Sequence, residues 1–142
     1  MKKYRKGIFI VVFSENKYLL LERKLHWTGW EFPKAGLERG EQDKQAVSRE
    51  LKEETGLKPK RIIDFKIKGK FLYKKEYADR PGILGQTWHL FAVEVSSERV
   101  KVDKLEHSSY KWLGYDGAYK LLSWANQKKC LKEVEKLRKK LK

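Results

Sequence analysis

Three glutamates, Glu50, Glu53 and Glu54, crowd a short stretch whose apolar spacing is helical. On an α-helix Glu50 and Glu54 lie one turn apart and Glu53 projects close to both, so three carboxylates converge on a small volume. Such a cluster repels itself. Local bases relieve it incompletely: Glu53 can pair with Arg49 and Glu54 with Lys58, whereas Glu50 is poorly matched. A divalent cation resolves the conflict. Mg2+ is a hard ion that prefers oxygen ligands and bridges carboxylates to substrate phosphates, so it suits this inventory better than zinc. On an arbitrary helix the same acids would be no more than a solvated face, and the flanking residues decide between the two readings.

Those residues follow a long pattern. Ala35, Glu41 and then Arg49-Glu50-Leu51-Lys52-Glu53-Glu54-Thr55-Gly56-Leu57 keep the spacing G-x5-E-x7-R-E-U-x-E-E-x-G-U, with U aliphatic. In this the chain resembles the Nudix hydrolase family. The leading glycine of the pattern is replaced by Ala35, with Gly36 next to it. A glycine there permits positive φ or close backbone approach, so a slightly reshaped loop is expected. The resemblance implies a Nudix fold, an α/β/α sandwich around a mixed β-sheet. It implies Glu50 and Glu54 as principal metal ligands, Glu53 as ligand or water-activating base, Glu41 as supporting acid and Arg49 as the residue that orients the glutamates. The cofactor it implies is Mg2+, with Mn2+ able to substitute. In the chemistry that follows, the metal neutralises phosphate oxygens and lowers the pKa of a water that attacks phosphorus.

The likeness extends beyond the acids. Trp30-Glu31-Phe32-Pro33-Lys34 resembles the entry segment of diadenosine-tetraphosphate hydrolases, which implies that Lys34 meets a phosphate. Glu106-His107-Ser108-Ser109-Tyr110-Lys111-Trp112-Leu113 is similar to a downstream segment of that subfamily. It makes Glu106 a candidate metal ligand or base and His107 a candidate phosphate contact. Gly85-Gln86-Thr87-Trp88-His89-Leu90-Phe91 is similar to a strand of RNA 5'-pyrophosphohydrolases. Tyr73, Tyr77 and Trp88 lie where an aromatic face could stack on adenine, although strand packing explains each equally well. His26 and His89 show no ligand spacing. The expected substrate is a nucleoside polyphosphate, diadenosine tetraphosphate first and the 5' end of triphosphorylated RNA second. A binding-only domain that has lost catalysis is disfavoured by the retained acids.

The elements that must position these groups can be read from periodicity. Residues 7–13 and 17–22 form a hairpin across a turn at 14–16. Residues 23–41, punctuated by Gly29, Pro33, Gly36 and Gly40, form a structured loop. Residues 43–55 form a helix stopped by Gly56. Strands are expected at 61–68, 71–77 and 86–95, with turns at Gly69 and Arg80-Pro81-Gly82, and a short strand at 110–113. Helices at 116–123 and 126–141 close the chain.

At 142 residues the whole chain, 1–142, is expected to be one domain. No apolar run approaches the roughly 20 residues of a membrane span, so a protein without a membrane partner is expected. Cys130 is the only cysteine, which rules out an internal disulfide or a cysteine metal cage and fits a cytoplasmic setting. The formal charge of +15 favours polyanionic partners, and a lysine-rich solvated surface accounts for it equally well. The basic stretch 128–142 could extend a track for RNA. Neither a P-loop nor a G-x-G-x-x-G turn is present. A monomer or homodimer is expected.

Overall fold

The computed structural model describes residues 3–75 and 77–141. Its centre is a mixed sheet built on β1 (Lys3–Ser14), which is parallel to β6 (Ile83–Glu94) and antiparallel to β2 (Lys17–Arg23). β3 (Gly29–Glu31) and β5 (Arg61–Leu72) continue the order β3-β2-β1-β6-β5, while β4 (Lys34–Gly36) pairs with β1 and β7 (His107–Leu113) with β2. Alternation along β1 divides the core between the two faces. Ile8, Ile10 and Val12 pack with Ala46, Val47 and Leu51 of α1 (Asp43–Thr55). On the opposite face Phe9, Val11 and Phe13 pack with Ala118 of α2 (Tyr115–Leu121) and with Cys130, Leu131 and Val134 of α3 (Ala125–Lys140). The expected α/β/α sandwich around a mixed sheet is therefore the observed architecture.

α3 is pinned to the sheet by a buried polar knot. Tyr18 donates to Glu135 at 2.7 Å, and Arg138 Nε donates to the same carboxylate at 2.8 Å. Burial pushes the Cys130 thiol up to about 12, so this cysteine behaves as a small core hydrophobe. Five lysines of α3, Lys129, Lys132, Lys136, Lys139 and Lys140, are exposed, whereas Arg138 is committed to the interior and Lys142 lies outside the described residues. Among the described residues no helix is long and apolar enough to cross a membrane.

Several boundaries differ from the expectation. Residues 23–41 contain β3 and β4, because Gly29, Trp30 and Glu31 find partners on β2, and Lys34, Ala35 and Gly36 find partners on β1. β7 starts at His107 rather than at Tyr110. The strands expected at 61–68 and 71–77 are one strand ending at Leu72, interrupted only by a bulge between Asp64 and Lys68 where Lys66 takes φ 58°. Gly69 is thus no turn. It pairs with Trp88, and a Cβ there would collide with the Trp88 indole, which lies stacked on Phe9 at 4.9 Å. Tyr77 consequently sits in the connection after β5 and not on a strand.

Gly69→Val inserts bulk into this contact and is expected to lower unfolding free energy by about 1–3 kcal/mol in urea denaturation. An unchanged midpoint would show that Trp88 is free to move aside.

Candidate active site

α1 begins where Gln42 hands its carbonyl to Ala46 N–H, and the Gln45 side chain returns to accept from Gln42 N–H at 2.9 Å. It ends at Gly56, whose φ of 74° is the left-handed stop that glycine adopts without strain. Because Ala46, Val47 and Leu51 face the core, the edge that carries Glu50 and Glu54 is turned toward β4. Arg49 organises this edge. Its Nε and Nη2 grip both oxygens of Glu41 at 2.7 and 2.9 Å, its Nη1 reaches Glu50 at 2.8 Å, and its Nη2 also donates to Gly36 carbonyl at 2.8 Å. The Arg49 hydrogen bonds, helped by the Glu38 backbone N–H, hold the Glu41 carboxyl down to about 2.

The charge pairing differs from the sequence expectation. Arg49 makes the expected pairing with Glu53 at 3.4 Å but also takes Glu50 at 2.8 Å, while Glu54 is buried with no ion-pair partner among the described residues, so the Lys58 pairing is not made. Glu53 keeps a 58% exposed side chain and is not among the residues that line the acidic cleft. The Ala35 position is also resolved. Ala35 is a buried strand residue paired with Ile8 and has no positive φ, so its methyl simply joins the core. One residue later, a Cβ at Gly36 would meet only the flexible end of the exposed Arg5 side chain.

Glu50, Glu54 and Glu106 line a cleft of about 40 Å3 together with Arg5, Arg23 and Lys34. Burial pushes the Glu54 carboxyl well above its usual range, and the charges of Glu50, Glu106 and Glu31 push it further. Burial also raises Glu50, against the pull of Arg49. Glu54 Oε2 is buried and has no hydrogen-bond partner among the described residues. An oxygen acceptor with no donor, facing further carboxylates, fits a hard divalent cation. Glu54, Glu106 and His107 each bring one ligand atom to within 4.8 Å of the others.

Beneath this cleft lies a network that the sequence did not announce. Glu31 is fully buried; its Oε1 lies 3.0 Å from Lys34 Nζ, and its Oε2 is met by His107 Nε2 at 2.8 Å and Arg23 Nη1 at 3.2 Å. Arg23 extends to Glu106 at 3.5 Å. Burial works to raise the Glu31 carboxyl, but the Lys34 charge, the His107 hydrogen bond and the Arg23 charge together bring it down to about 2. His107 itself is fully buried, with Nδ1 unpartnered, so it stands under the acids rather than in the open loop where a phosphate contact was expected. The available signal for Glu31 was a carboxylate placed between Trp30 and Phe32, two aromatic residues that point to a core.

Next to the acids opens a cavity of about 610 Å3. Arg23, Lys34, Arg80 and Gln86 line both spaces. Tyr77 lines the cavity, stacked on His26 at 4.2 Å and edge-on to Tyr73 at 5.3 Å, and Trp27 meets Trp124 edge-on at 5.1 Å on its wall. His26, unassigned from sequence, is held by Asp79 at 3.1 Å. Trp88, packed on Phe9, is not among the lining residues. His89 lies elsewhere, bridging Asp43 and Asp64 at 2.6 Å each. Asn126, at the start of α3, faces the cavity with its Oδ1 buried and unpartnered.

The model of the NUDIX domain family matches residues 3–134. Among curated relatives, an RNA pyrophosphohydrolase of Baumannia cicadellinicola is 30% identical over 126 residues, covering 79% of this chain and 77% of its own. One from Marinomonas sp. is 30% identical over 123 residues, covering 79% and 76%. Among solved structures, the E. coli dihydroneopterin triphosphate pyrophosphohydrolase superposes with TM-score 0.76 at 24% identity, covering 93% of this chain and 97% of that one. A C. elegans Ap4A hydrolase superposes with TM-score 0.69 at 22% identity, covering 94% and 96%. At those identities the structural likeness establishes the fold.

The depressed Glu31 carboxyl makes a pH-dependent contribution to stability. Its folded value lies below the ordinary 4.5, so the stabilisation is present above that value and is lost as pH falls toward about 2. The difference corresponds to on the order of 3 kcal/mol. In urea denaturation across acidic pH, the advantage of the wild type over Glu31→Gln is expected to shrink through this window. A gap independent of pH would contradict the ionised network.

Proposed function

Because this chain belongs to the NUDIX domain family, we propose that it is a Mg2+-dependent pyrophosphohydrolase that cuts a diphosphate linkage in a nucleoside polyphosphate. Diadenosine tetraphosphate, cleaved to ATP and AMP, is the first substrate. The observation that carries this reading is the shared border: an acidic cleft suited to a cation and an aromatic cavity have Arg23, Lys34, Arg80 and Gln86 in common. A nucleobase in the cavity thereby brings its phosphate chain past Lys34 and Arg23 to the acids.

Glu50 and Glu54 would hold the metal, and Glu53, exposed one residue before Glu54, would join as a further ligand. When bound, Mg2+ supplies neutralisation of phosphate oxygens and a more acidic water. Glu106, half exposed at the cleft, accepts the proton of the attacking water. Arg49 fixes the carboxylates of Glu41 and Glu50 so that no reorganisation is needed when charge develops. Tyr77 and His26 offer a stacked pair against which adenine can lie, a contact worth roughly 1 to 3 kcal/mol.

A second reading is hydrolysis at the 5' end of triphosphorylated RNA. It is favoured by the curated relatives, which are named RNA pyrophosphohydrolases, and by the exposed lysines of α3. The same acids serve both reactions.

Turnover of diadenosine tetraphosphate and of triphosphorylated RNA, with products separated by chromatography, decides between them. Efficient release of ATP and AMP is expected from the wild type, and pyrophosphate from RNA would promote the second reading. Glu106→Gln is expected to lower kcat by about 10²- to 10⁴-fold while the protein stays folded. Near-wild-type rates in both Glu106→Gln and Glu50→Gln would remove the catalytic assignment, and silence of the wild type on both substrates would point to another nucleotide or to a binding-only role.

A further inference from the structure

Four residues border both the acidic cleft and the aromatic cavity, and three of them are cationic. Two of those cations are already committed. Lys34 Nζ lies 3.0 Å from Glu31, and Arg23 Nη1 lies 3.2 Å from Glu31 and 3.5 Å from Glu106. Arg80 differs: no carboxylate among the described residues forms an ion pair with it. Its backbone closes the turn after β5, with Arg80 N–H donating to Tyr77 carbonyl at 3.0 Å and Ile83 N–H donating to Arg80 carbonyl at 3.2 Å. The turn therefore needs nothing from the guanidinium.

The guanidinium is nevertheless aimed. Nη1 donates to the Tyr73 hydroxyl at 3.1 Å, and that hydroxyl donates in turn to Gln86 Oε1 at 3.3 Å on β6. The plane lies toward the Tyr73 ring, 5.8 Å from its centroid. Only one of the five N–H donors of the guanidinium is used in this chain of bonds. A half-buried planar cation with spare donors, fixed through two residues to a strand, has the chemistry of an oxyanion fork.

We propose that Arg80 is a specificity-determining residue that binds a phosphoryl group beyond the α-phosphate of the nucleoside in the aromatic cavity, on the way to the acids, and so makes affinity depend on phosphate-chain length. Tyr73 is its positioning residue, holding the fork over the boundary between the two spaces. The proposal rests on the site being one for nucleoside polyphosphates. Arg5, the other cation of the acidic cleft without a carboxylate partner among the described residues, is exposed and does not border the cavity, so it cannot substitute at this point.

Calorimetric titration of the full chain in Mg2+ with AMP, methylene-bridged ADP and bis-methylene-bridged ATP tests this without turnover. In the wild type the three-phosphate ligand is expected to bind about tenfold or more tighter than AMP, the scale of one charge-assisted hydrogen-bonded contact. Arg80→Ala is expected to bring that ratio to about threefold or less, leaving AMP affinity and thermal stability nearly unchanged. Arg80→Lys restores part of the ratio, because charge returns without the fork, and Tyr73→Phe lowers it by misplacing the guanidinium. A loss in Arg80→Ala that is equal for AMP and the longer ligands, an unchanged ratio, or a wild-type affinity that does not rise with chain length would each overturn the proposal. Failure of the catalytic reading stays distinguishable: a wild type that shows the Arg80-dependent ratio but cleaves no polyphosphate loses the catalytic assignment and keeps this one.

Discussion

A carboxyl group buried beside other carboxylates is costly unless something compensates it, and Glu54 is in that position. Oε2 has no donor among the described residues, and the charges of Glu50, Glu106 and Glu31 all act on this carboxyl. Much of the surrounding chain manages this conflict. Arg49 neutralises Glu50 and Glu41 and ties them to the Gly36 carbonyl, so the acids are held in place rather than splayed into solvent. Arg23 and Lys34 neutralise Glu31, and His107 hydrogen-bonds it. What remains uncompensated is the oxygen that faces the cleft, and a divalent cation is the partner whose charge and ligand preference match it.

The sheet turns this local conflict into a site with direction. β4 brings Lys34 against β1, β7 brings His107 against Arg23 on β2, and α1 delivers the acids from the other side of Gly36. α3 supplies Trp124, Asn126 and Gln127 to the cavity, with Gln127 accepting from Phe32 N–H at 2.9 Å next to β3. Each element is held by core residues on one face and presents polar groups at its edge. The cleft and the cavity are consequences of the same packing.

Legibility in the sequence followed the range of the interaction. α1, its glycine stop and the fate of each of its apolar positions depend on residues a few positions apart, and spacing reveals them. Glu41 and Arg49 were legible through the pattern they share. By contrast, the ion network of Glu31 with His107 spans β3 and β7, and no local signal marks a buried histidine as the partner of a buried acid. Gly69 reads as a turn because glycine commonly makes one, yet its missing side chain makes room for an indole on the neighbouring strand. Trp88 and Tyr77 look alike as aromatic residues near a cleft; only the end of β5 at Leu72 puts Tyr77 on the cavity wall, whereas Trp88 lies on Phe9. Ala35 departs from its pattern without backbone strain because its position is a strand paired with Ile8.

The most direct measurement is thermal or urea unfolding of the wild type and Glu54→Gln, each with and without Mg2+. A cation held at about 100 times its Kd is expected to stabilise the wild type by about 2.7 kcal/mol, and Glu54→Gln is expected to lose most of that increment. Without the cation the variant should be at least as stable as the wild type. Its margin should grow as pH rises through the raised folded value of Glu54 and close below the ordinary 4.5, because the stability of the protonated wild-type carboxyl is lost as it ionises. A variant that is less stable without metal and gains as much from Mg2+ as the wild type would contradict the account: the buried acid would then be a structural partner and not the seat of the cation.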